Sequence, residues 1–261
     1  MFAAAFHTSR HYILFTVMAC LCVLLGRPSY AAGAESLFIA GATYYEPGAS
    51  GPGWAWTDAD HLELNGYTGE AIGADGGLVV TLAGQNTVVE TSALDVDISR
   101  CAMEVWGDLR LDGTGSLTAT GSQCGIYVWG ALAVDGCKVE ARADGAGIAD
   151  AWVAGVIADG LAVHDGGRVV AAGAGSGAGV HAYGVCLLGG AAGGGAAGKL
   201  TVDASWLDAS GAKGGVACLG GSLASARFVA PAGGGFGADG VVDADGSVAA
   251  LVTIESVDAT A

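Results

Sequence analysis

The sequence predicts an all-β chain folded as a right-handed parallel β-helix, a solenoid of about seven three-strand coils. Three observations carry this. First, a phrase recurs: Leu109-Arg110-Leu111-Asp112-Gly113, then Leu132-Ala133-Val134-Asp135-Gly136, then Leu161-Ala162-Val163-His164-Asp165-Gly166, and more loosely Leu200-Thr201-Val202-Asp203. Second, each copy lies between two other strand-like runs, giving three strands in a unit of roughly 23 to 31 residues. Third, helix signals are poor. The 47 glycines interrupt nearly every window, and alternation of period two outweighs the 3.6-residue period.

Residues 1–32 are expected to be a secretory signal peptide. Arg10 and His11 precede an apolar run, and small residues close the segment at Ala31 and Ala32. The run falls short of the ~20 apolar residues a membrane span needs. Residues 33–68 are expected to form an N-terminal cap and the first strands, with Leu37-Phe38-Ile39 and Thr43-Tyr44-Tyr45 leading into the rod. Residues 69–225 are the expected coils.

In each coil the first strand ends in glycine, as in Ala102 to Gly107, Gly125 to Gly130, Gly155 to Gly160, Gly184 to Gly189 and Gly215 to Gly220. The repeated phrase is the second strand. The third reads Ser116 to Thr120, Lys138 to Arg142, Arg168 to Ala172 and Trp206 to Ser210. Alternation points Ile126, Val128, Leu132 and Val134 inward, and Tyr127 and Trp129 outward. Like residues then stack about 4.8 Å apart, as in neighbouring strands of a sheet. The glycine-alanine stretch Gly189 to Gly198 reads as a corner loop. Residues 226–261, with Ala226 to Ala230 and Leu251 to Glu255, are the expected last coil or C-terminal cap. Eight Asp-Gly pairs leave an antiparallel sandwich as the competing fold, since Asp-Gly is a hairpin signal. The long repeat argues against it.

The charge balance excludes several partners. The whole chain carries −16, with 26 acidic and 10 basic side chains. Arg10 and Arg27 would leave with the signal, so the expected mature chain holds 8 basic and 26 acidic residues, or −18. Such a surface repels nucleic acid and anionic membranes. No membrane contact is expected after cleavage. Cys101, Cys124, Cys137, Cys186 and Cys218 would remain. Their odd number, irregular spacing and lack of a C-x-x-C pair fit neither a disulfide framework nor a zinc ribbon, so they read as small buried apolar residues.

The stretch Gly53-Trp54-Ala55-Trp56, His61-Leu62-Glu63-Leu64-Asn65-Gly66-Tyr67-Thr68-Gly69, Leu78-Val79-Val80 and Gly84-Gln85-Asn86-Thr87-Val88, with the later Gly-Ile-x-x-x-Gly-x-Leu-x-Val-x-Gly coils, resembles secreted β-helix repeat proteins of Gram-positive gut bacteria, often labelled carbohydrate-binding-domain-containing. The resemblance spans residues 37 to 220. It implies a pectate-lyase-like right-handed β-helix and a cell-surface, glycan-related role.

Two constellations could carry binding. Trp106 and Trp129 occupy the same repeat position on adjacent coils, with Tyr127 beside them and Trp54, Trp56 or Tyr67 as possible extensions. A row of exposed rings is a platform for the C–H faces of sugars. The plainer account is a structural ladder of stacked aromatics. Asp112, Asp135, Asp165 and Asp203 read as equivalent corners that a Ca²⁺ could bridge, or as turn residues before glycine. No cofactor is required on this reading. Asp239, in Gly234 to Val242, matches one copy of a nine-residue calcium-binding repeat.

Catalysis has less support. Lys138 and Arg168 adjoin, but Arg168 reads as packing on Trp206. Asp95 and Asp97 have no basic partner, and His61, His164 and His181 no nucleophile at a shared position. The expected function is a non-catalytic adhesin-like or glycan-binding surface module. The alternatives are a polysaccharide lyase or glycoside hydrolase, and a structural spacer.

Overall fold

The computed structural model describes residues 33–90, 100–149, 151–175, 177, 179–189 and 198–257. The expected signal peptide, Asp95, Asp97 and most of the Gly189–Gly198 loop lie outside the described residues. The structure is all-β, with long parallel sheets of the kind a solenoid builds. Among the described residues no helix is long and apolar enough to cross a membrane.

Successive strands visit three sheets in turn. The first sheet holds Ile72–Ala74, Cys101–Val105, Cys124–Val128, Trp152–Ala158, His181–Leu187 and Gly214–Ala217 in that order. The second holds His61–Asn65, Leu78–Ala83, Leu109–Gly113, Ala131–Asp135, Gly160–His164, Lys199–Asp203 and Gly220–Ala224. In the third, Thr68–Glu70 and Gln85–Val89 lead into Ser116–Gly121, Lys138–Ala143, Arg168–Gly173 and Trp206–Gly211. Parallel pairing begins at His61, inside the segment expected to be a cap.

The repeated phrase aligns as its spacing predicts. Leu78, Leu109, Leu132, Leu161 and Leu200 stack in register, as do Val80, Leu111, Val134, Val163 and Val202. All ten are buried. The Asp-Gly pairs do not make hairpins between these strands. Gly113 and Gly136 take φ of 98° and 70°, a left-handed conformation open to glycine, and turn the chain from the second sheet into the third.

A second column sets the shape of the interior. The inward side of the third sheet shrinks along each strand: Leu117-Ala119-Gly121, Val139-Ala141-Ala143, Val169-Ala171-Gly173. Opposite its narrow end stand Ala102, Gly125, Gly155, Gly184 and Gly215 of the first sheet. A Cβ on Gly155 would lie 2.5 Å from the Ala141 carbonyl oxygen and 2.6 Å from the Ala172 amide nitrogen. The two backbones meet so closely that the space between the sheets is a wedge, wide at the Leu/Val end and closed at the Gly/Ala end.

Both ends depart from parallel pairing. Leu37–Ile39 pairs antiparallel with Ile72–Ala74 and with Ala42–Tyr44. Trp54–Asp58 pairs antiparallel with His61–Asn65. At the other end Leu251–Ser256 lies antiparallel between Trp206–Gly211 and Ala226–Ala230. The remaining sheet edges are parallel strands: Thr68–Glu70 in the third sheet, and Gly214–Ala217 and Gly220–Ala224 in the first and second.

Candidate binding cleft

The first sheet carries a second apolar layer on its outer side. Strict alternation would place Cys101 with Met103, yet Met103 belongs to the main core while Cys101 joins Cys124, Ala154, Ile157 and Cys186 in a separate buried cluster. The break falls at the column Ala102, Gly125 and Gly155, where the chain bends toward the third sheet. Residues on both sides of the bend then face outward, and all five residues of Cys101–Val105 are buried.

This outer layer is the floor of a cleft of ≈ 430 Å³, within the size range of small-ligand sites. Cys101, Cys124, Tyr127 and Ile157 line it below. Trp106 and Trp129 stand at one side and Trp152 at the other, with Gln123 among the lining groups. The three indoles are 48 %, 49 % and 44 % exposed. Trp106 and Trp129 are held by backbone bonds, their amides donating to the carbonyls of Ala74 and Val105, each at 2.9 Å.

The rings are stacked along the coil direction. Trp106 and Trp129 have centroids 4.7 Å apart and planes 17° from parallel, the spacing of neighbouring strands. One face of each ring is spent on the other, as in a ladder. Tyr127 meets Trp129 edge-on at 5.6 Å. Trp152 stacks on His181 at 5.8 Å and on Tyr183 at 5.5 Å.

Among the described residues no further ring extends either stack. Tyr127 pairs with Ile157, so Trp129 meets Asp159, not a third ring, in the next coil. Cys124 pairs with Ala154, so Trp152 meets Ser122 in the preceding coil. Trp129 and Trp152 both line the same cleft. Sequence reasoning missed Trp152 and Gln123. Trp152 opens the strand Trp152–Ala158 and Gln123 immediately precedes Cys124–Val128, both ahead of the glycine-bounded runs Gly155 to Gly160 and Gly125 to Gly130.

No protein-family model, curated protein or solved structure matches this chain. The cleft must be read from its own chemistry.

Trp54, Trp56 and Tyr67 do not extend the aromatic patch. They are 5 %, 1 % and 2 % exposed and belong to the main core near its first coils. Trp54 packs against Tyr44 with centroids 5.3 Å apart. The end of a stack has no neighbouring coil to cover it, and large rings supply that cover.

The expected acidic corners do not converge. Asp112 and Asp135 are neighbours, but Arg110 lies between them, its Nε 3.6 Å from Asp112 and 2.9 Å from Asp135. The guanidinium takes the place a bridging cation would have. Asp112 also accepts a 2.8 Å hydrogen bond from Thr81. Asp165 is one residue out of register, because His164 pairs with Asp135. Asp239 lies far along the chain in the turn of an antiparallel hairpin, Gly235–Phe236 with Val241–Val242, which is not a calcium-binding roll. Among the described residues no three His, Cys, Asp or Glu side chains group to hold a metal. A chelator is therefore expected to leave the melting temperature unchanged. Arg110→Gln should cost less than ~1 kcal/mol, as for other partly exposed ion pairs, and the loss should vanish in high salt. Thermal melts of both proteins with and without chelator check this.

Two basic residues of the third sheet are likewise engaged. Arg168 pairs with Asp208 at 3.2 Å rather than lying on Trp206. Arg142 pairs with Glu140.

Two titrating groups of the cleft, Tyr127 and Cys101, are displaced away from neutrality. Burial pushes the Tyr127 phenol up, with Cys124 and Glu104 adding to the effect. The Cys101 thiol is raised by its hydrogen bond to Cys124 and by burial. Groups raised above their usual values of about 8.5 and 10 stay neutral through mildly alkaline pH. Ligand binding here is expected to be flat between about pH 7.5 and 9. Affinity measured across that range checks it; a tenfold change would contradict the assignment of the site.

Proposed function

We propose that this chain is a secreted, non-catalytic surface module, a right-handed parallel β-helix that binds neutral glycan in the cleft between Trp129 and Trp152. The observation that carries the reading is the pair of half-exposed indoles, Trp129 and Trp152, that line one cleft. Sugar rings present C–H faces to such surfaces, while Gln123 and the Tyr127 hydroxyl offer hydrogen bonds to sugar hydroxyls. The acidic balance of the chain disfavours anionic polymers and leaves neutral ones. The resemblance of residues 37 to 220 to secreted carbohydrate-binding β-helix proteins, and the expected signal peptide, support the same placement.

The non-catalytic part rests on the cleft lining, which among the described residues carries no carboxylate, whereas glycoside hydrolysis ordinarily uses two. The stacking of Trp106 on Trp129 favours a second reading for that pair, a structural ladder in a spacer rod. The test is affinity electrophoresis in gels cast with neutral polysaccharides, followed by assay of new reducing ends. Retardation without new ends supports a binding module. No retardation on any neutral polymer leaves the spacer, and new ends would make it an enzyme.

A further inference from the structure

The floor of the cleft holds a feature that glycan binding does not use. Cys101 and Cys124 occupy the same position of adjacent coils and pair in parallel register. Both belong to the outer buried layer rather than to the main core. The Cys101 thiol is hydrogen-bonded to Cys124, and Cys124 Sγ reaches the Ile126 carbonyl at 3.7 Å. The other described thiols have no such neighbour in register. Cys186 pairs with Ile157 and Ala217, Cys137 Sγ donates to the Leu111 carbonyl at 3.5 Å, and Cys218 belongs to the inner core.

We propose that Cys101 and Cys124 are a dithiol that closes reversibly to a disulfide between adjacent coils, by exchange with a low-molecular-weight disulfide entering the cleft. Neighbouring strands lie about 4.7–4.9 Å apart, inside the Cα separation of about 4.4–6.8 Å that disulfides span. The two residues are direct partners in register within one buried cluster, so closure needs side-chain rotation and a small shift at the bend beside Gly125. Both thiols are almost wholly buried but line the cleft, which is their route to solvent.

The chemistry balances. One thiol loses its proton and attacks a sulfur of the small disulfide, releasing one small thiol and leaving a mixed disulfide. The second thiol loses its proton, attacks the protein sulfur of that mixed disulfide and releases the other small thiol. The protein pair is oxidised by two electrons and the small disulfide is reduced to two thiols. Burial and the mutual hydrogen bond hold Cys101 in its protonated form, so exchange is slow at neutral pH and quickens as pH rises.

The experiment incubates the full chain with oxidised glutathione, quenches with acid, alkylates under denaturing conditions and maps the peptides. The expected result is at least a ~tenfold loss of alkylation at Cys101 and Cys124, with recovery of one peptide linking the two. Reductant should restore both sites, and Cys186 should alkylate throughout. In Cys124→Ser no linked peptide should form, and any Cys101 that resists alkylation should carry glutathione instead. Full alkylation of both cysteines after oxidation, linkage of either to another cysteine, or a stable glutathione adduct without linkage would each overturn the proposal. The linkage is measured on the unmutated chain, so the outcome does not depend on whether a variant folds.

Discussion

Replacing Gly155 with valine is expected to destabilise the chain by more than ~3 kcal/mol, the size associated with severe overpacking. Its Cβ would meet backbone, not side chain: the Ala141 carbonyl oxygen at 2.5 Å and the Ala172 amide nitrogen at 2.6 Å. Both atoms belong to the third-sheet ladder, so neither can move without breaking pairing to adjacent coils. Each coil is stabilised by its neighbours, so the damage spreads along the stack. Gly166→Ala is the comparison. Nothing lies within 4 Å of its Cβ position, and only its φ of 76° opposes a side chain; that costs roughly 1–2 kcal/mol. Urea denaturation of the two variants separates the causes. Similar losses in both, or a Gly155→Val loss below the Gly166→Ala loss, would contradict the wedge.

Trp129→Ala and Trp152→Ala should each weaken retention on a neutral glycan at least tenfold, about 1.4 kcal/mol or more. Trp129→Phe should keep most of the binding, since a smaller ring still offers a face. Trp106→Ala is the informative control. It removes a stacking partner worth ~0.2–1 kcal/mol of stability but leaves Trp129 in the cleft lining. A spacer predicts that all three alanine variants change only the melting temperature. A two-ring platform predicts equal losses for Trp106 and Trp129 and none for Trp152. Affinity electrophoresis and melting curves on the same samples tell these apart.

Parts of the site are legible in the chain by counting alone. Three residues on from Leu132 and from Leu161 lie Asp135 and His164, so register sets Asp165 apart from the other corners. Five residues back from Trp106 and from Trp129 lie Cys101 and Cys124, which marks them as stacked neighbours. Other parts have no such signal. Trp54 and Trp56 look like Trp106 and Trp129 in sequence, and only their place near the end of the stack buries them. Arg110 between two carboxylates depends on how a long side chain lies across strands.

The sequence by itself determined the all-β character, the three-strand unit and the register of its Leu and Val columns. These follow from a period of two and from pairing between successive coils, both local properties of a repeating chain. Only the tertiary structure decided which way the rings face, where alternation breaks at the glycine column, and which residues share the outer cleft. Those depend on the approach of the first sheet to the third and on side-chain direction, and a one-dimensional repeat carries neither.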